Sequence, residues 1–318
     1  MLDLSQPAAG PKVVAEVPIR ALGGLHAMNL TQDGDRLFIA LGDLFAVRGS
    51  KAGLAIINVS QPARPRVMSL WTSATVLKGS AVVVASGRYA YLGAMREGVF
   101  IFDVSDPQNI VRLSTILPDV NFPRPRPNRV QHPNARGLAI EGDLLFVAYD
   151  SGGIRVIDVS DKAKPREVAR YLNRAMGNKQ QAYNNIVIKG RLAYVAADYC
   201  GLEILDIGDP RAIRQLGWWN PWRCDAFSNM WLNSSGHTNQ LVLDADRKLV
   251  FLSAGDAELQ VVDVGNPSHP ALVGQFGGLM DGRGTWGLAV TRRNVFLTYI
   301  ETFIPFRGAW AGVTALSR

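Results

Sequence analysis

The amino-acid sequence predicts an all-β chain: a six-bladed β-propeller of four-stranded antiparallel blades, its ring closed by the N-terminal strand. Three observations lead to this class. A short apolar phrase ending on an acidic or amide side chain returns five times, as Gly53-Leu-Ala-Ile-Ile-Asn58, Gly98-Val-Phe-Ile-Phe-Asp103, Gly153-Ile-Arg-Val-Ile-Asp158, Gly201-Leu-Glu-Ile-Leu-Asp206 and Glu258-Leu-Gln-Val-Val-Asp263. Successive copies lie roughly 45 to 57 residues apart, a period that marks an array of similar β-units. Between copies, apolar and polar residues alternate in short runs broken by tight polar turns.

The third unit gives the strands most cleanly. Ala135 to Ile140 alternates, Glu141-Gly-Asp143 turns, and Leu144 to Ala148 forms a second β-rich run. After the break at Ser151-Gly-Gly153, Ile154 to Val159 is a third strand, Ser160 to Pro165 a turn, and Glu167 to Tyr171 a fourth. Four antiparallel strands make one propeller blade. First strands recur at Ala27 to Thr31, Ala81 to Ala85, Gly137 to Ile140, Asn185 to Ile188, Gln240 to Leu243 and Gly287 to Val290, which sets the count at six. The last unit stops at its third strand, Gly312 to Leu316, and Lys12 to Val17 supplies an orphan fourth strand to close the ring and remove two exposed edges. The whole chain, 1–318, reads as one domain. The aspartates that end the phrase recur from blade to blade and suit Asx turns, so they are structural.

The phrase resembles the LVIVD repeat of bacterial and archaeal surface or exported proteins, a family expected to form β-propellers. That resemblance implies the fold and an extracytoplasmic setting, periplasmic or at the cell surface. It implies no reaction, because no shared catalytic residues map onto this chain.

With 47% hydrophobic residues in 318, the chain can bury a large core. No run of about 18 apolar residues is present, so no membrane span is expected. Met1 to Pro7 reads like the middle of a repeat, so the chain is expected to be a mature or trimmed product. A net charge of +7 favours anionic partners, but the basic residues are dispersed rather than gathered into a nucleic-acid-binding track. The two cysteines have no C-x-x-C spacing for zinc or redox work, and without C-x-x-C-H covalent c-type haem is excluded.

The function is sought where the chain departs from its repeat. In a propeller the turns between first and second, and between third and fourth, strands lie on one face; the remaining connections and the channel mouth lie on the other. The former are short and monotonous here. The latter are long and individual: Pro118 to Arg136, Asn173 to Asn184, Asn220 to Asn239 and Gly277 to Thr285, with insertions at Gly42 to Ala52 and Thr302 to Ala311. Binding residues gather on such loops. Cys200 and Cys224 fall on neighbouring loops of this face, either as a disulfide, which would indicate an oxidising compartment, or as two reduced thiols.

Three clusters mark the same face. His26, His132 and His237 stand at the entrances of alternate first strands, so they either satisfy strand-start backbone groups or converge to hold copper or zinc. Trp222, Trp231, Trp286 and Trp310 supply aromatic surface. Arg124, Arg126, Arg129 and Arg136, joined by Arg223, Arg283 and Arg307, supply guanidiniums for carboxylates or phosphates. The leading expectation is a non-catalytic binding or scaffold propeller that presents this basic and aromatic face to another exported protein or an anionic ligand, electron-transfer proteins among them, and needs no cofactor. The alternative is a metal-dependent oxidase or hydrolase at the channel mouth, with Asp225, Asp281 or Glu301 as acid or base. The sequence has no G-x-S-x-G, H-E-x-x-H or P-loop motif.

Overall fold

The computed structural model describes residues 1–3, 10, 12–43, 46–124, 132–176, 183–226, 233–279, 281–302 and 306–318. Among the described residues six antiparallel sheets of three or four strands follow one another along the chain, each with its strands in sequence order. Blade one is His26–Asp33, Arg36–Gly42, Gly53–Asn58 and Arg66–Thr72, and blade two is Val82–Ser86, Tyr89–Gly93, Val99–Asp103 and Val111–Ile116. Blade three is Gly137–Glu141, Leu144–Ala148, Ile154–Asp158 and Arg166–Tyr171, and blade four is Asn185–Lys189, Leu192–Ala196, Leu202–Asp206 and Arg214–Trp219. Blade five is Gln240–Asp244, Leu249–Ser253, Leu259–Asp263 and Ala271–Phe276, and blade six contributes Thr285–Val290, Asn294–Tyr299 and Gly312–Ser317.

One expectation needs correcting. Among the described residues the N-terminal strand does not pair with Gly312–Ser317. Lys12–Val13 pairs instead with Leu2–Asp3, extended by Val14 N to Met1 O at 3.1 Å and by the Met1 ammonium to Ala15 O at 2.6 Å. Its register, Leu2 opposite Val13 and Asp3 opposite Lys12, repeats that of Ile57 with Val67 and Asn58 with Arg66 in blade one. The pair is an exposed two-stranded sheet of its own, and it closes at less cost in chain entropy than pairing with Gly312–Ser317 would.

The chain divides into two compact units: Met1–Pro118, Pro133–Leu145 and Ile157–Glu167 in the first, and Asp119–His132, Phe146–Val156 and Val168–Arg318 in the second. In the first, Phe38, Leu54 and Ile56 pack against Val83, Leu92, Phe100 and Phe102, with Trp71 edge-on to both phenylalanines. In the second, Leu202, Ile204 and Trp219 pack against Leu241, Val250 and Leu252, and Phe251 and Leu259 against Val295, Leu297 and Tyr299. Third strands are covered on both faces, which is why the phrase reads as an unbroken apolar run. Among the described residues no helix is long and apolar enough to cross a membrane.

The residue that ends the phrase is an Asx-turn former in all five copies. Asn58, Asp103, Asp158, Asp206 and Asp263 each accept a bond from the backbone N–H two residues on, at 2.7 to 3.1 Å. Fourth strands share a small residue where the next blade's turn approaches. Ser69 Oγ donates to Pro107 O at 2.8 Å, Ser114 Oγ donates to Lys162 O at 2.6 Å, and a Cβ on Gly217 would sit 2.0 Å from Pro267 O.

Candidate functional site

The turns between second and third strands set the geometry of the loops. Met95, Asp150, Asp198 and Gly255 occupy the same place in four of them, with φ of 50°, 49°, 43° and 60°. Each forms an isolated bridge to the residue leading into the next blade's first strand: Met95 with Ala135, Asp150 with Tyr183, Asp198 with Thr238 and Gly255 with Thr285. The sharp reversal turns backbone groups outward to the neighbouring blade, so every long connection is clamped at its end.

The connections are also anchored from beneath by one position of the phrase. Its third residue is apolar in Ala55 and Phe100 but polar in Arg155, Glu203 and Gln260. Arg155 is wholly buried; its Nε donates to Gly152 O at 2.7 Å and its Nη2 to Asp119 O at 3.0 Å and Phe122 O at 3.4 Å. The Phe122 ring lies against both Arg155, at 4.9 Å, and Arg170, at 5.1 Å. Gln260 repeats the local part of this pattern, its Nε2 donating to Ala257 O at 2.8 Å.

Glu203 holds the connection between blades three and four. Its wholly buried carboxyl accepts from Tyr171 Oη at 3.0 Å, Asn173 Nδ2 at 3.1 Å and Tyr183 Oη at 3.1 Å. Burial nevertheless wins over these donors and pushes its pKa up to about 7. Beyond it, Met176 is buried beside Cys224, which forms a disulfide with Cys200 at a Cα separation of 5.3 Å. Trp218 Nε1 donates to Cys200 O at 2.8 Å, and Trp222 packs edge-on to Trp219 at 5.8 Å.

Blade five departs from the phrase in a second way. Glu258 stands where the other copies have glycine and keeps the left-handed backbone, φ 51°, at a cost of order 1–3 kcal/mol. Its carboxylate accepts from Tyr299 Oη at 2.5 Å. A Cβ on Gly277, itself at φ 81°, would lie 1.9 Å from Glu258 Oε1, so the connection to blade six passes directly over this carboxylate.

Of the three histidines, the fold takes His237 inside and leaves His26 and His132 exposed. His237 Nδ1 lies 2.6 Å from Asp198 Oδ1, and the ring packs edge-on against Phe306 at 5.7 Å. Asp256 lies in the same neighbourhood at 2% exposure, and its pKa is raised, first by burial and against the pull of His237 and Arg307. Arg307 Nη1 is 3.5 Å from Asp256 Oδ2. The imidazole is wholly buried, and its contacts with Asp198 and Phe306 tie three loops together. Among the described residues no group of three or more His, Cys, Asp or Glu side chains is placed to hold a metal.

The remaining candidates divide by exposure. Arg124 and Arg223 are exposed, the former donating to Asn121 O at 3.3 Å and the latter in a left-handed turn at φ 52°. Arg283 lies over the Trp310 ring at 5.3 Å and 3.5 Å from Asp281, and Trp310, 42% exposed, leans on Tyr299 at 5.0 Å. Ala309 N donates to Gly282 O at 2.6 Å, so two connections carry this Arg–Trp pair together. Trp286 is half-buried against Phe306, and Arg136 is half-buried in the other compact unit. Arg126, Arg129 and Trp231 lie outside the described residues. The sequence reading passed over Arg155, Asp198, Glu203, Asp256 and Glu258. A signal for two of them, a charged residue inside an otherwise apolar strand, was present in the phrase.

Residues 79–114, 133–173, 182–214 and 250–277 match the LVIVD repeat. No curated protein matches the chain. Among solved structures, a chain of the crystal structure of the Mitotic Checkpoint Complex shares 11% identity at a TM-score of 0.60, covering 92% of this chain and 78% of that one. The β-propeller domain of Cps50 (Swd1) from Myceliophteria thermophila shares 12% identity at a TM-score of 0.58, covering 91% of this chain and 84% of its own. The computationally designed Ika8 protein shares 11% identity at a TM-score of 0.54, covering 92% and 71%. At such identities the likeness is one of fold, and with the strand pattern above it makes this chain a six-bladed β-propeller, of which blades two to five carry the matches to the LVIVD repeat.

Proposed function

We propose that this propeller is a non-catalytic binding or scaffold module of the periplasm or cell surface, and that its long connections present arginine and tryptophan side chains to an acidic exported protein. The observation that carries the reading is the pairing of anchored loop bases with exposed tips. Arg155, Glu203 and Glu258 fix the connections from below, while Arg124, Arg223, Arg283 and Trp310 remain at the surface. A rigid base with Trp and Arg at the tip is the composition of a protein-binding hot spot, where little ordering entropy is lost on association. The Cys200–Cys224 disulfide supports an oxidising compartment.

The test is affinity capture from an extracytoplasmic extract on the immobilised chain, alongside an R124A/R223A/R283A variant. The expected result is retention of acidic proteins that falls with salt and is lost in the variant. Equal retention by the two would remove the arginines from the reading.

A further inference from the structure

A second feature lies at the opposite ends of the strands, among the short turns. Between the first-to-second-strand turns of blades five and six is an open cleft of about 600 Å³, lined by Val242, Leu243 and Val290 and rimmed by Arg247 and Arg292. Its volume falls in the range of small-molecule sites, and its open lining is divided about equally between apolar surface, from Val242, Leu243, Ala245 and Val290, and polar surface.

The charges at this cleft do not cancel. Asp244 is taken up by the Arg318 guanidinium and by the backbone N–H of Arg247, which hold its carboxyl below the usual range. Arg318 is in turn committed, donating to Thr291 O at 3.2 Å and lying over the Phe251 ring at 4.6 Å. The guanidiniums of Arg247 and Arg292 are exposed and have no hydrogen-bond or ion-pair partner among the described residues; Asp244 opposes Arg247 through space, and Asp246 is the other acidic residue of the lining. Lys248 and Arg293, exposed in the same two turns, add to the positive field.

We propose that this cleft binds a small soluble anion with a short alkyl arm: a carboxylate or phosphate monoester held between Arg247 and Arg292, with the arm against Val242, Leu243 and Val290. Guanidiniums suit both head groups because two N–H donors meet two oxygens in one plane. The arm removes the aliphatic floor from water. The site is independent of the loop-borne arginines of the binding face.

Isothermal titration of octanoate and octyl phosphate into the full chain tests the proposal, with octylammonium and inorganic phosphate as the charge and arm controls. Octanoate and octyl phosphate are expected to bind, octylammonium not to bind, and inorganic phosphate to bind more weakly than octyl phosphate. R247Q/R292Q, a surface change away from the core, is expected to weaken both by about tenfold or more. No octanoate binding, equal binding of octylammonium, phosphate binding as tight as octyl phosphate, or an unaltered double variant would each overturn it. So would co-sedimentation with anionic-lipid vesicles that R247Q/R292Q abolishes, since the head group would then belong to a membrane.

Discussion

Replacing Glu203 with glutamine should make the protein's stability less sensitive to pH. The wild-type carboxyl is wholly buried, and its pKa stands at about 7 against an ordinary 4.5. Between those values the native state keeps a proton that the unfolded chain has released. Stability is therefore complete below pH 4.5, falls as pH rises, and levels off above 7. At 1.36 kcal/mol per unit the loss from this one group is about 3 kcal/mol. Glutamine keeps an acceptor for Asn173 and Tyr183 and an amide facing the Tyr171 hydroxyl, but does not titrate. Urea unfolding at half-unit steps from pH 4.5 to 8 should show the wild type losing stability relative to E203Q by about that amount, with the gap opening between pH 4.5 and 7. Parallel curves throughout would mean that the three donors outweigh burial and that Glu203 is ionised like a surface carboxylate.

Other perturbations probe the remaining anchors. Arg155→Leu strands the carbonyls of Gly152, Asp119 and Phe122 and should cost about 2–4 kcal/mol in urea unfolding, with Arg155→Lys restoring little because one ammonium cannot span them. Reducing the Cys200–Cys224 bridge, which closes a 24-residue separation, should lower stability by about 3 kcal/mol, read as a fall in melting temperature that C200S/C224S reproduces and that reductant does not deepen. Gly217→Ala places a methyl 2.0 Å from Pro267 O and should destabilise by about 1–3 kcal/mol, whereas Gly142→Ala in an open hairpin turn meets no atom within 4 Å and should suffer only from its positive φ.

The fold was legible because its signal is repeated. Five copies of one phrase fix the register of every third strand they occupy, and the Asx turns that follow carry their chemistry in the side chains themselves. The closing strand was read by elimination, and that reading had no means to weigh the competing hairpin with Leu2–Asp3. The proposed binding face was only partly legible. Loop length and composition picked out Arg124, Arg223, Arg283 and Trp310, which are exposed, but Arg155 and Glu203, which hold the loops in place, are within the strands. Arg155 and Glu203 were visible as polar residues in the phrase, yet their partners, Asp119, Phe122, Tyr171 and Tyr183, are distant in sequence. His237 was open to two readings, a strand-start residue or a metal ligand, and nothing in its own segment announces Asp198, 39 residues away.

The central claim is that partners engage the anchored connections. Hydrogen exchange on the chain alone and with a captured acidic partner measures this most directly. Protection confined to the connections that carry Arg124, Arg223 and Arg283 is the predicted footprint. Protection at the short turns, such as Ser86 to Arg88 or Glu141 to Asp143, with the connections unaltered, would contradict it.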